Sequence, residues 1–224
     1  MLLNIKFNLS KKLLSEKGEK IFHYGIFFLP TLLPISFFLF LISLIISLSV
    51  NKIKFKHDRW NQVLILVIGI IIHNTLNVIL FDSTINKYNS FPIIIFNAFK
   101  WLILFLSFAG FQHYLKSSSQ RINFIRFFLM GSFPVIISCF LQYWFKIYGP
   151  FEFLNGLIIW YNKPLIETND GVSGLFSNQN YTGFWLSIIW PFCIYFIRKN
   201  KHFKVKKFLL VIFGISIIYF TFMT

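Results

Sequence analysis

Amide and ionisable side chains lie inside stretches of this sequence that are otherwise apolar, and these are the residues with chemistry to offer. Asn97, Lys100 and Trp101 are spaced i, i+3 and i+4, so a helix through them would carry all three on one face. Lys100 would then sit about eight residues, roughly 12 Å, inside its apolar run. An ammonium at that depth suits an anionic group such as a phosphate, although a lysine there can equally snorkel to the surface. His73 and Asn77 are one helical turn apart with Asn74 between them, and Gln142, Tyr143, Asn178, Asn180 and Thr182 fall at the ends of other apolar runs. An asparagine that only bonds between helices contributes about 0.6 kcal/mol, and for each one singly that packing role is the expectation. Together they predict a polar cavity at one depth, because an ionisable group within an apolar segment is a functional hypothesis by default.

Soluble-enzyme signatures are missing from the sequence. It has no phosphate-binding loop, dinucleotide fingerprint, nucleophile elbow, or paired Cys or His at metal spacing. No cofactor and no metal are expected, and no residue is singled out as catalytic. The NYT triplet at 180–182 matches a glycosylation acceptor but carries little weight at the start of an apolar run.

The elements that must position these residues follow from composition. Of 224 residues 56% are hydrophobic and only 13% charged, half the charged share of about 25% usual in soluble domains. Thirty-two phenylalanines need an apolar solvent that a core of this size does not supply. The net charge of +15 falls in short runs between apolar segments, which speaks for a membrane protein and against a nucleic-acid partner. Cys139 and Cys193 lie within apolar runs and read as packing residues. The expected fold is all-α: a polytopic transmembrane bundle of about six spanning helices at 25–50, 61–81, 92–115, 127–145, 180–197 and 208–223, each near the roughly 20 residues a bilayer requires. Residues 1–20 form a basic tail without the pattern of a cleavable signal peptide, and 21–224 the transmembrane domain. Pro30 and Pro34 are expected to kink the first segment.

Connections 51–60, 116–126 and 198–207 hold four, three and six Lys/Arg residues, against one in 82–91 and two in 146–179. The first set is expected on the cytoplasmic side. A single crossing at 25–50 would leave the basic tail outside, so either the tail is an exception or 21–50 is a bent hairpin. The loop 146–179 is then external. Its apolar piece FLNGLIIW is too short to span and is expected to lie in the interface, anchored by Trp160 and Tyr161.

The stretch GVSGLFSNQNYTGFWL, residues 171–186, closes that loop. Its glycines permit tight turns and close backbone approach, and Ser177, Asn178 or Asn180 could cap a helix starting near Tyr181. A helix N-terminus there would also attract anions. With the residues that follow, this stretch resembles the G-x-F-x-N-x-N segment of the bacterial O-antigen ligase and O-antigen polymerase family, polytopic inner-membrane glycosyltransferases. The motif maps onto Gly174, Phe176, Asn178 and Asn180, with Pro191 matching a proline later in the helix, and the resemblance covers about residues 146–197.

The resemblance implies cell-surface polysaccharide assembly by metal-free transfer of glycan from an undecaprenyl-diphosphate carrier. It makes Gly174, Phe176, Asn178 and Asn180 candidate substrate-binding residues, beside Lys100, Asn97, His73 and Asn77 from the cavity argument. Relatives follow a helix like the last one with a Ser-Arg pair and a large external loop whose Arg and His residues are assigned to catalysis. The chain ends at YFTFMT, so the expectation is an N-terminal half, inactive alone, whose partners are the bilayer, the carrier-linked glycan and a separately encoded C-terminal half. The alternative is a small transporter- or channel-like protein, or a structural membrane protein.

Overall fold

A computed structural model describes residues 2–50, 59–81, 101, 103–166, 170–199 and 204–224. These residues are mostly helical, with one short β-hairpin in the loop between Trp144 and Gln179. In chain order the elements are α1 (Leu2–Phe28), α2 (Leu33–Val50), α3 (Arg59–Phe81), α4 (Ile103–Leu115), α5 (Ser118–Trp144), β1 (Phe151–Phe153), β2 (Ile158–Trp160), α6 (Gln179–Lys199) and α7 (Lys204–Phe222). Three of them, α2, α3 through Asn77, and α5, are long and apolar enough to cross a membrane. The chain belongs in a membrane.

The polarity of the buried faces supports that reading. On α2, Ser36, Ser43 and Ser47 are buried, while Leu33, Phe37, Phe38 and Ile45 are more than half exposed. On α5, Gly131, Ser132, Ser138 and Gln142 are buried, while Met130, Phe133 and Trp144 point outward. A water-soluble helix turns its apolar stripe inward. Helices in lipid do the reverse, packing through small residues and short hydrogen bonds because lipid is as apolar as leucine.

The chain divides into two compact units. In the unit of residues 1–18 and 43–116, Ser47 Oγ donates to the Gly110 carbonyl at 2.6 Å, and the fully buried Tyr114 donates its hydroxyl to the Ser43 carbonyl at 2.8 Å. Gln112 Nε2 donates to Asn61 Oδ1 at 3.1 Å, tying α4 to α3.

In the unit of residues 19–42 and 117–224, the expected first segment at 25–50 proves to be two helices rather than one kinked helix. The chain turns at Leu29–Leu32, and Leu32 N–H donates back to the Phe28 carbonyl at 2.8 Å. Pro30 lies in the turn and Pro34 in the first turn of α2, where a missing N–H leaves no helical bond unmade. Ser36 Oγ donates to the Gly25 carbonyl at 2.7 Å and the Phe22 and Phe40 rings are 5.9 Å apart, so α2 folds back along α1. Of the two possibilities the basic tail left open, the fold-back is the one observed.

The start of α5 is a second correction. The expected connection 116–126 is mostly helix, because Ser117 and Gln120 form a capping box: Gln120 N–H donates to Ser117 Oγ at 3.1 Å, and Ser117 N–H to Gln120 Oε1 at 3.0 Å. Gln120 Nε2 then donates to Glu19 Oε2 at 2.8 Å, bringing a carboxylate of α1 to the positive end of α5. Farther along, the Gly131 backbone lies against the Phe27 carbonyl. Helix α6 joins α5 through Trp185 Nε1, which donates to Ser132 Oγ at 3.0 Å, and through Phe128, whose ring is 5.1 Å from that of Trp185. Phe133 stacks on Phe213 of α7 at 6.1 Å.

Residues 146–179 hold a structure that hydropathy alone does not give: the apolar piece expected in the interface folds as an antiparallel hairpin, with Phe151 opposite Trp160 and Phe153 opposite Ile158. Asn155 and Gly156 have φ of 54° and 82°, the left-handed pair that a type I′ turn demands.

Candidate functional site

The loop that carries the glycine- and asparagine-rich stretch is fastened to α5 by buried polar groups. Gln142, fully buried, is the hub: its Oε1 accepts from Gly174 N–H at 2.7 Å, and its Nε2 donates to the Lys163 carbonyl at 2.7 Å and Ser173 Oγ at 3.2 Å. Ser173 Oγ also accepts from Lys163 N–H at 3.0 Å. Ser138 Oγ donates to Asn162 Oδ1 at 2.6 Å, and the buried Thr182 hydroxyl donates to the Ser173 carbonyl. Asn162 N–H donates to the Gly174 carbonyl at 2.9 Å, so the two loop arms run side by side. The buried members, Gln142, Ser138, Asn162, Ser173, Gly174 and Thr182, would otherwise be unpaired dipoles in a low-dielectric interior.

Gly174 has φ of 53°, and a Cβ there would stand 2.9 Å from Cys139 Sγ. Both the left-handed backbone and the missing side chain are therefore used.

Beyond Gly174 the chain turns into α6, which starts at Gln179. Asn178 is its cap: Asn178 Oδ1 accepts from Asn180 N–H at 2.8 Å. Asn178 and Asn180 are both exposed. Phe176 is half-buried and lines a cavity of about 320 Å³ together with Pro30, Trp160, Tyr161 and Tyr181. Its polar lining comes from backbone and from hydroxyl, indole and phenol groups, with no charged side chain among the described residues. An aromatic wall of this kind accepts the apolar face of a sugar ring or a hydrocarbon chain; it has nothing to neutralise a diphosphate. Trp160 Nε1 donates to the Thr31 carbonyl at 2.9 Å, which ties this wall of the cavity to the α1–α2 turn.

No family model, curated protein or solved structure matches this chain.

Of the candidate residues, Gly174, Phe176, Asn178 and Asn180 come together at the start of α6 in one unit. His73 and Asn77 lie on α3 in the other unit, both exposed, with Asn77 Nδ2 3.0 Å from His73 Nε2. Asn97 and Lys100 lie outside the described residues. Among the described residues no cluster of three His, Cys, Asp or Glu side chains is placed to hold a metal. The residues sequence reasoning missed are Trp160 as a cavity wall, and Asn162 and Ser173 as members of the buried network. Only Asn155-Gly156 advertised the hairpin that carries Trp160. Nothing in the sequence pairs Asn162 with Ser138 or Ser173 with Gln142.

Proposed function

We propose that the chain is part of an O-antigen ligase- or polymerase-like multi-pass protein of the bacterial inner membrane. In this reading it binds an undecaprenyl-diphosphate-linked glycan during cell-surface polysaccharide assembly. The observation that carries it is the cavity at the start of α6: Phe176 of the G-x-F-x-N-x-N segment forms one wall, and Trp160, Tyr161 and Tyr181 form the others. The sugar ring would stack on these aromatic walls, and Lys100, the cation the sequence offers within an apolar run, is the separate candidate for the diphosphate. The rival reading is a structural or solute-passing membrane protein. It draws on Asn178, whose side chain is already engaged in capping α6.

Binding of undecaprenyl diphosphate to the protein in nanodiscs separates the two. Lys100→Ala is expected to weaken binding of the unglycosylated carrier at least tenfold with the helical signal unchanged. Phe176→Ala is expected to act on the glycosylated carrier alone. Unchanged affinity in both variants would sink the reading.

A topology belongs with this proposal. If the 146–179 loop faces outward, the α1–α2 turn faces outward with it, since Trp160 is bonded to Thr31. Both α1 and α2 then lead back inward, and the basic residues of α1 join those of 51–60 on the cytoplasmic side. A single cysteine at Lys12, in a chain with Cys139 and Cys193 replaced, is expected to resist a membrane-impermeant maleimide in intact spheroplasts and to react after lysis. Labelling before lysis would reverse the assignment.

A further inference from the structure

The tip of the β1–β2 hairpin offers apolar side chains where turn chemistry asks for small or polar ones. Leu154 and Leu157 are 66% and 60% exposed, on either side of Asn155-Gly156. Leu154 also has φ of 53°. A leucine is disfavoured in the left-handed region, which glycine or asparagine occupies far more readily. A strained leucine pointing outward is disfavoured twice over in water.

The hairpin's place along the chain says what receives it. It follows α5 closely; α5 ends at Tyr143-Trp144, with Phe145 and Lys146 just beyond, Trp144 and Phe145 57% and 62% exposed and Lys146 Nζ 5.3 Å from the Tyr143 ring centroid. Aromatic residues closed by a lysine mark the level at which a spanning helix leaves the hydrocarbon. Between Trp144 and β1 lie six residues, 145–150, which keep the hairpin near headgroup depth. Lys146 and Lys163, exposed on the two sides of the hairpin, complement anionic lipid.

We propose that the hairpin is a lipid-binding anchor whose Leu154 and Leu157 enter the outer boundary of the bilayer. Glu152, exposed on β1, keeps its carboxylate hydrated and limits the depth to the shallow 5–10 Å, roughly, of other interfacial elements. The same hairpin supplies Leu157, Ile158 and Trp160 to the aromatic cavity, so the bilayer would hold one wall of that cavity in place. The anchor requires only that α5 spans the membrane; it does not depend on what the cavity binds.

The experiment is spin-label accessibility in liposomes of phosphatidylcholine and phosphatidylglycerol. Nitroxides are placed singly at Leu154→Cys and Leu157→Cys in the full chain, with Cys139 and Cys193 replaced by alanine and a label at Lys12→Cys as the aqueous reference. Helical circular dichroism confirms that each variant is folded, and the two exposed sites serve as independent reporters. Collision with oxygen is expected to exceed collision with a water-soluble nickel chelate at both tip sites, and the order is expected to reverse at Lys12. Nickel access at the tip equal to that at Lys12 would overturn the anchor. So would exclusion of both reagents, which would mean that protein rather than lipid covers the tip.

Discussion

Gly131→Ala is expected to separate α1 from α5 and to give the largest loss of stability of any single methyl addition in this unit. A Cβ at position 131 would collide with the carbonyl oxygen of Phe27, and it would also stand 2.9 Å from the Phe27 carbonyl carbon and Cα. Those atoms are backbone, so no rotamer change relieves the contact. Overpacking a close interface costs about 1–3 kcal/mol even where side chains can move, and the upper end applies here. Small residues at helix crossings matter more in lipid than in water, since close packing takes the place of the hydrophobic drive between helices. The check is SDS titration of the purified protein followed by circular dichroism. An unchanged midpoint for Gly131→Ala would show that α1 and α5 do not meet at Phe27.

Gln142→Leu should leave the helices standing and release the loop. Leucine fills nearly the same space, so cavity formation contributes little. It abolishes three hydrogen bonds, strands the buried Gly174 N–H and removes the partner of the part-buried Lys163 carbonyl. Each stranded group costs about 1–3 kcal/mol. The arms at 161–163 and 173–174 then lose their common partner, and Phe176, two residues beyond Gly174, loses its fixed position in the cavity wall. The expected observation is proteolytic nicking between Tyr161 and Asn178 at protease concentrations that leave the unaltered chain whole, with circular dichroism unchanged. Equal resistance of the two proteins would mean that the remaining bonds, Thr182 to Ser173 and Ser138 to Asn162, suffice to hold the loop.

What could be read from the sequence was governed by the range of the interaction. The apolar runs at 61–81, 127–145, 180–197 and 208–223 each fall largely on α3, α5, α6 and α7, since length and hydropathy are local properties. The extra turns at the start of α5 were written in Ser117 and Gln120, whose capping box is also local. The α1–α2 fold-back was not decidable, because hydropathy registers a stretch of apolar residues but not a reversal within it. The β1–β2 hairpin has a local signature, Asn155-Gly156, the strongest short-range hairpin signal, but it is set among phenylalanines, leucines and isoleucines whose hydropathy fits any element at the membrane surface. The Gln142 hub was out of reach for a different reason. Gln142 meets residues 21 to 32 positions away, and nothing about a glutamine at a helix end names its partners.

The contacts between α1 and α5 carry a consequence for biosynthesis. Glu19 finds Gln120 across 101 residues of chain. At a synthesis rate of about 5–20 residues per second, Glu19 precedes its partner by about 5–20 s. During that interval α1 can already close on α2, through Ser36 Oγ donating to the Gly25 carbonyl. The face of α1 that will receive α5, with the carbonyl of Phe27 and the side of Phe22 that meets Phe124, still lacks its partner. A slow ribosome or a truncated message would lengthen this exposure, so the α1–α2 pair is the stage of assembly most open to membrane quality-control proteases.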